Sequence, residues 1–163
     1  MTQQDITIRR VERADLPLLD QALRALSADL GDPHPADIAL LEQAGFGPTP
    51  AFYALIAENG EAGLCGAAMY SPVMSTTLAA PGVFVSDLWV EKSARGTGLG
   101  RRLLAQVAQD AGTRWNAGYL KLAVYHDASG ARRFYDQLGF GARTDETTML
   151  LDRPAFEALK GQR

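Results

Sequence analysis

Residues 6–11, ITIRRV, are β-branched and alternate in polarity, the pattern of an opening strand. From Asp15 to about Asp29, Leu16, Leu19, Leu23, Leu26 and Leu30 recur at three- and four-residue spacing and predict an amphipathic helix. GDPHP (31–35) interrupts it, and Pro35 suits the first turn of a second helix running to Gly45. FYALIAE (52–58), the pair Asn59-Gly60 and GLCGAAMYS (63–71) predict an antiparallel hairpin. Two prolines and a Ser-Thr-Thr run make 72–82 a loop.

VFVSDLWV (83–90) is the strongest strand pattern in the chain, with Val83, Val85, Asp87 and Trp89 expected on one face. Beyond it, Leu99, Leu103, Val107 and Ala111 fall at every fourth position of a long helix. YLKLAVY (119–125) predicts a strand, and ARRFYDQLGF (131–140) a short amphipathic helix stopped by Gly139. TTMLLD (147–152) predicts a late strand and PAFEAL (154–159) a final helical turn or two. The order is mixed α/β, a central hairpin followed by strand–helix–strand–helix–strand, with no linker or repeat. A single domain over residues 1–163 is expected.

Composition narrows the classes. The chain is 47% hydrophobic and 21% charged, with no run near the roughly 18 apolar residues of a membrane span, so no membrane partner is expected. MTQQDITIRR lacks the basic-then-apolar plan of a signal peptide. Cys65 is the single cysteine, which excludes an intramolecular disulfide and fits a cytoplasmic location. His34 and His126, the two histidines, have no ligand-type spacing, so no metal is expected.

Charge is segregated. KSARGTGLGRR (92–102) holds Lys92, Arg95, Arg101 and Arg102 and no acid, leaving −7 on the rest of a chain whose net charge is −3. A nucleic-acid binder is basic across a face, whereas one local cationic site suits a small polyanion. Glycines and cations at a helix start each cost stability. A helix N-terminus with free N–H groups and close backbone approach repays that cost by holding a phosphate group. A P-loop needs Lys-Ser/Thr after its last glycine, but Arg101-Arg102 follow Gly100. A dinucleotide fingerprint needs G-x-G-x-x-G, which Gly96, Gly98 and Gly100 do not supply. R-x-x-G-x-G, from Arg95 to Gly100, remains.

SDLWVEKSARGTGLGRRLL resembles the acetyl-CoA-binding segment of the GNAT superfamily of acetyltransferases, and AVYHDASGARRFYDQLGF resembles the strand and helix that follow it. The resemblance spans essentially the whole chain. It implies a GNAT fold of the α/β (α+β) class: a mixed, mostly antiparallel sheet, flanked by helices and splayed where the coenzyme inserts. It implies acetyl-CoA as co-substrate, with pantetheine amides on Leu88, Trp89 and Val90. The pyrophosphate would sit on Arg95, Gly96, Thr97, Gly98, Leu99, Gly100 and Arg101. Segments 40–58, 66–70 and 85–90 resemble the diamine and small-amine acetyltransferases. That points to a small primary amine, such as a diamine, polyamine or lysine-like acceptor. A protein amine as acceptor, or a coenzyme-binding module without turnover, are the rival readings. A homodimer is expected by analogy with the family.

Acetyl transfer to an alkyl amine of pKa about 10.4 must first remove a proton, a handicap of about 4–5 kcal/mol at pH 7. The departing thiolate then needs an acid. The family match makes Tyr135 the acid, although Ala131, Phe134, Tyr135 and Leu138 also form the stripe of a core helix. Asp87, an acid within an apolar strand, is the candidate base or amine anchor. Diamine-acetylating relatives carry Glu-Asp where this chain has Ser86-Asp87, so Ser86 replaces one substrate carboxylate. Ala128 stands where relatives place an asparagine against the pantetheine arm. His34, between the early helices, is a candidate substrate contact. His126 reads chiefly as a surface histidine and Cys65 as a packed small hydrophobe. Asp29, Asp32, Asp37 and Glu42 form either a solvated acidic face or a rim for a cation. Phe52, Tyr53, Tyr70 and Trp89 are candidate aromatic walls.

Overall fold

The computed structural model describes residues 5–60 and 63–161. Residues 1–4, 61–62 and 162–163 lie outside them. Its contacts define two compact units, one through Ala123 and one from Val124.

In the first unit, strands β1 (Ile6–Arg10), β2 (Tyr53–Asn59), β3 (Gly63–Ser75), β4 (Ala80–Val90) and β5 (Leu120–Leu122) form one sheet in that order. Neighbours are antiparallel except β4 and β5, which are parallel. This is a mixed α/β sheet of the expected kind. Helices α1 (Leu16–Leu30), α2 (Ile38–Phe46) and α3 (Leu99–Trp115) flank it.

Alternation along the strands separates two apolar layers. Ala54, Ile56, Ala67 and Trp89 pack with Leu16, Leu19 and Leu23 of α1 and Leu41 of α2. On the other face the backbone at Gly66 lies against Leu99 and Leu103 of α3, and Tyr70 bonds to Asp110 of the same helix. Leu99, Leu103, Val107 and Ala111 are all buried, as their spacing predicts. Arg9 clamps β1 to the start of α1 through two bonds to Asp15, 2.7 and 2.8 Å, which hold that carboxyl below its usual range.

Several elements differ from expectation. Residues 72–82 are strand, not loop: β3 and β4 stay paired from Pro72–Val83 to Ser75–Ala80, leaving a turn at 76–79. Proline is tolerated because β2 ends its pairing at Tyr53–Tyr70, so β3 beyond that point has a free edge. α2 begins at Ile38 rather than at Pro35, because the Asp37 carboxylate caps it by accepting from Leu40 N at 2.8 Å. β5 shrinks to three residues, paired with Val83–Val85.

The face prediction for β4 fails at Ser86. Met69 pairs with Asp87 but Tyr70 pairs with Val85, so Ser86 is one residue in excess, a β-bulge. Val83 and Val85 therefore face α3 with Tyr70, while Asp87 and Trp89 face α1. The bulge also coincides with the end of the β4–β5 ladder at Val85–Leu122.

In the second unit, α4 (Ser129–Gln137) and α5 (Arg153–Gly161) are helical. Gly139, at φ 94°, donates to Asp136 O and ends the first of them. Residues 147–152 form no strand, and Met149 and Leu150 are almost fully exposed. Their apolar run lacks the strict alternation and the paired neighbour that fix a strand.

Candidate active site

The glycine-rich segment lies between β4 and α3. A short 3-10 turn, Lys92–Ala94, follows β4, and Gly96 and Gly98 then take φ of 76° and 86°. Those left-handed values cost an L-side chain about 1–2 kcal/mol, which is what glycine spares here. Gly98 is the N-cap of α3 and provides no side-chain cap. The first N–H groups of the helix therefore point outward without an intrahelical acceptor.

The four cations of this window divide by role. Arg95 donates to Val90 O at 2.9 Å and pairs with Asp29 at 2.6 Å, tying the loop to the end of α1. Arg102 donates to Ile6 O at 2.8 Å, against β1. Arg101 and Lys92 are exposed, and their side chains meet no partner among the described residues. Thr97 donates its hydroxyl to Ala94 O at 2.6 Å and braces the turn. Beyond Val85, no strand among the described residues pairs with the β5-side edge of Ser86, Asp87, Leu88, Trp89 and Val90. The site thus joins an uncapped helix start to an open strand edge.

Asp87 is half-buried on the α1 side of that edge. Burial pushes its carboxyl above the usual range, while a bond from Ser86 and the proximity of His34 pull it back. His34 is held by a 2.9 Å bond between its Nδ1 and Ser27 Oγ. Its Nε2 lies 3.8 Å from Asp20 Oδ1, and neither atom has a hydrogen-bond partner among the described residues. Asp20 and Ser27 carried no readable signal, since a polar residue on α1 looks the same whether it meets solvent or a loop.

The acidic group is largely committed. Asp29 pairs with Arg95, Asp37 caps α2, and Glu42 pairs with Arg13. Cys65 is buried with its thiol pushed up by burial, and it donates to Ala57 O at 3.3 Å. Trp89 sits in the α1 core.

Within the second unit Tyr135 lies on α4, half-buried, its ring 5.1 Å from Phe134 and 5.4 Å from Phe140. Burial raises its hydroxyl above the ordinary value. Ala128 is the N-cap of α4 without a side-chain bond. His126 is exposed in the turn before it. Among the described residues no cluster suits a metal ion and no helix is long and apolar enough to cross a membrane.

The structure thus combines a mixed sheet, an open strand edge and an uncapped helix start. A profile of the acetyltransferase (GNAT) family matches residues 18–140, and the chain belongs to that family. Members use acetyl-CoA, and the uncapped start of α3 beside Arg101 fits its pyrophosphate. No curated protein matches the chain. Among solved structures, an integron cassette protein from the mobile metagenome of V. cholerae is 20% identical, with 97% of this chain and 99% of that one covered, TM-score 0.77. An aminoglycoside acetyltransferase from an uncultured soil metagenomic sample, in complex with trehalose, is 18% identical over 92% and 99%, TM-score 0.75. A ribosomal-protein-alanine N-acetyltransferase from Brucella melitensis biovar Abortus is 19% identical over 90% and 99%, TM-score 0.69. At these identities the likeness concerns the fold.

Proposed function

We propose that the protein acetylates a small primary amine from acetyl-CoA, by direct attack in a ternary complex. The observation that carries this reading is the uncapped start of α3 beside the open edge of β4. The backbone N–H groups that follow Gly98, with Arg101, would hold the pyrophosphate. The Leu88–Val90 edge would pair with the pantetheine amides. When bound, the coenzyme supplies an activated acetyl thioester.

Asp87 takes a proton from the acceptor ammonium, directly or through a water, and frees the nitrogen lone pair to form the N–C bond. Its raised carboxyl brings it closer to the working pH of a general base. Tyr135, the residue the family match makes the acid, would donate its hydroxyl proton to sulfur as the C–S bond breaks, and the second proton released by the attacking nitrogen would restore it through solvent. The half-buried Asp87, with His34 beside it, supports a small amine rather than a long peptide as acceptor. The aminoglycoside acetyltransferase among the structural neighbours adds aminoglycosides to the amines to test.

Calorimetry with acetyl-CoA tests the loop. Wild type should bind, and Gly98→Trp, shown folded by circular dichroism, should not. Thiol release is then followed with diamines, polyamines, lysine and an aminoglycoside. Turnover should fall at least about 100-fold in Asp87→Asn and in Tyr135→Phe. Coenzyme binding with no turnover on any of these amines would refute the small-amine reading.

A further inference from the structure

A second concave site lies at the far end of α3. The helix has 17 residues, so its C-terminus is about 25 Å along the axis from the coenzyme loop. A cavity of about 180 Å³ opens there, walled by Phe46, Phe52, Tyr53, Tyr70, Arg10 and Arg114. Tyr53 and Tyr70 are paired across β2 and β3 and face α3, the opposite side of the sheet from Asp87.

Asp110 organises the charged wall. Its side chain is 1% exposed, and it accepts from Tyr70 Oη at 2.6 Å, from Arg114 Nε at 2.9 Å and from Arg10 Nη2. Two guanidinium groups against one carboxylate leave a net positive charge. In each arginine the remaining nitrogens bond to no other described residue. The Arg114 guanidinium lies 4.5 Å from the centre of the Tyr53 ring, which fixes its plane. At the end of the helix the Asn116 N–H bonds to the carbonyls of Ala111 and Gly112.

We infer that this cavity binds a small carboxylate with a flat apolar body, of about the size of benzoate. The volume matches cavities that accept a single benzene ring. The aromatic walls suit the body, and a planar fork with unused donors suits a carboxylate bidentately. A cationic amine is excluded by the same charge, so the cavity is not a place for the acetyl acceptor.

The test is an NMR titration of the wild-type chain with benzoate, benzylamine and benzyl alcohol. Benzoate should give saturable shifts at Phe52, Tyr53 and Arg114, with Kd about 1 mM. Benzylamine should give none. Arg114→Lys, which keeps the charge and loses the fork, should weaken benzoate at least about tenfold. The inference is overturned by unsaturable or absent benzoate shifts in wild type up to about 10 mM. It is equally overturned if benzylamine or benzyl alcohol shifts the same residues as strongly, if the shifts gather at 96–101, or if folded Arg114→Lys binds benzoate undiminished. The wild-type arms do not depend on the variant folding.

Discussion

Replacing Tyr70 with Phe removes a single oxygen from the centre of the molecule. Tyr70 is 0% exposed, and its hydroxyl donates at 2.6 Å to Asp110. Burial and the Asp110 charge push that hydroxyl well above its usual range, so it stays a donor throughout the working pH range. A hydrogen bond to a buried charge contributes about 1.5–3 kcal/mol. Asp110 keeps Arg10 and Arg114 in the variant, so the loss stays nearer 2 than the 3–5 kcal/mol of an orphaned buried ion. At about 2–4 °C per kcal/mol for a chain of this length, Tm should fall by about 4–8 °C. Burial alone would raise the Asp110 carboxyl, but Tyr70 and the two guanidiniums outweigh it and hold it below the usual range. That stabilisation is complete above the unfolded value, about 3.9, and is lost as pH falls through the lower folded value. The wild-type advantage should therefore be full at pH 7 and shrink below about pH 4. Melts followed by circular dichroism at both pH values, repeated in an Asp110→Ala background, measure the coupling. A fall under about 1 °C, or an equal fall with and without Asp110, would refute the argument.

Other expectations follow from the same geometry. Asp87 has a carboxyl raised by burial, so its ionisation costs stability once pH rises through the folded value. Asp87→Asn should then raise Tm at pH 7 and not at pH near the unfolded value of about 3.9, even as it lowers turnover. Arg101→Ala should weaken acetyl-CoA by about tenfold in calorimetry with Tm unchanged. Arg95→Ala should instead lower Tm, because Arg95 holds Asp29 and Val90. Cys65 should not react with a disulfide reagent in the native protein and should react fully in guanidinium, being 1% exposed.

The α3 stripe was legible because its period is a local property of the chain: Leu99, Leu103, Val107 and Ala111 bury as their spacing requires, whereas Leu30 at the end of the α1 stripe is exposed. The turn into α3 was legible because Gly96, Gly98 and Gly100 cluster where the helix begins, and Gly96 and Gly98 take positive φ there. The bulge was not, since an alternating sequence gives no sign of where one residue will be surplus; only the pairing with Met69 and Tyr70 decides it. Pro72 and Pro81 suggested a loop because proline reports on a missing donor and not on which edge is free. Asp110 carries a signal of its own: it falls three residues after Val107, on the buried stripe, where an acid demands partners. Those partners, Tyr70 and Arg10, lie 40 and 100 residues away in sequence.

Ser86 has one more consequence. Because it is the surplus residue, its removal would leave Val85 facing α3 and Asp87 facing α1, with both cores intact. The strand would straighten, and β5 would be free to continue its ladder past Val85, sealing the edge on which the pantetheine amides are proposed to lie. A deletion at 86 is thus expected to make a better-ordered and less competent protein. On this expectation the open edge depends on chain length at one position more than on which side chain stands there.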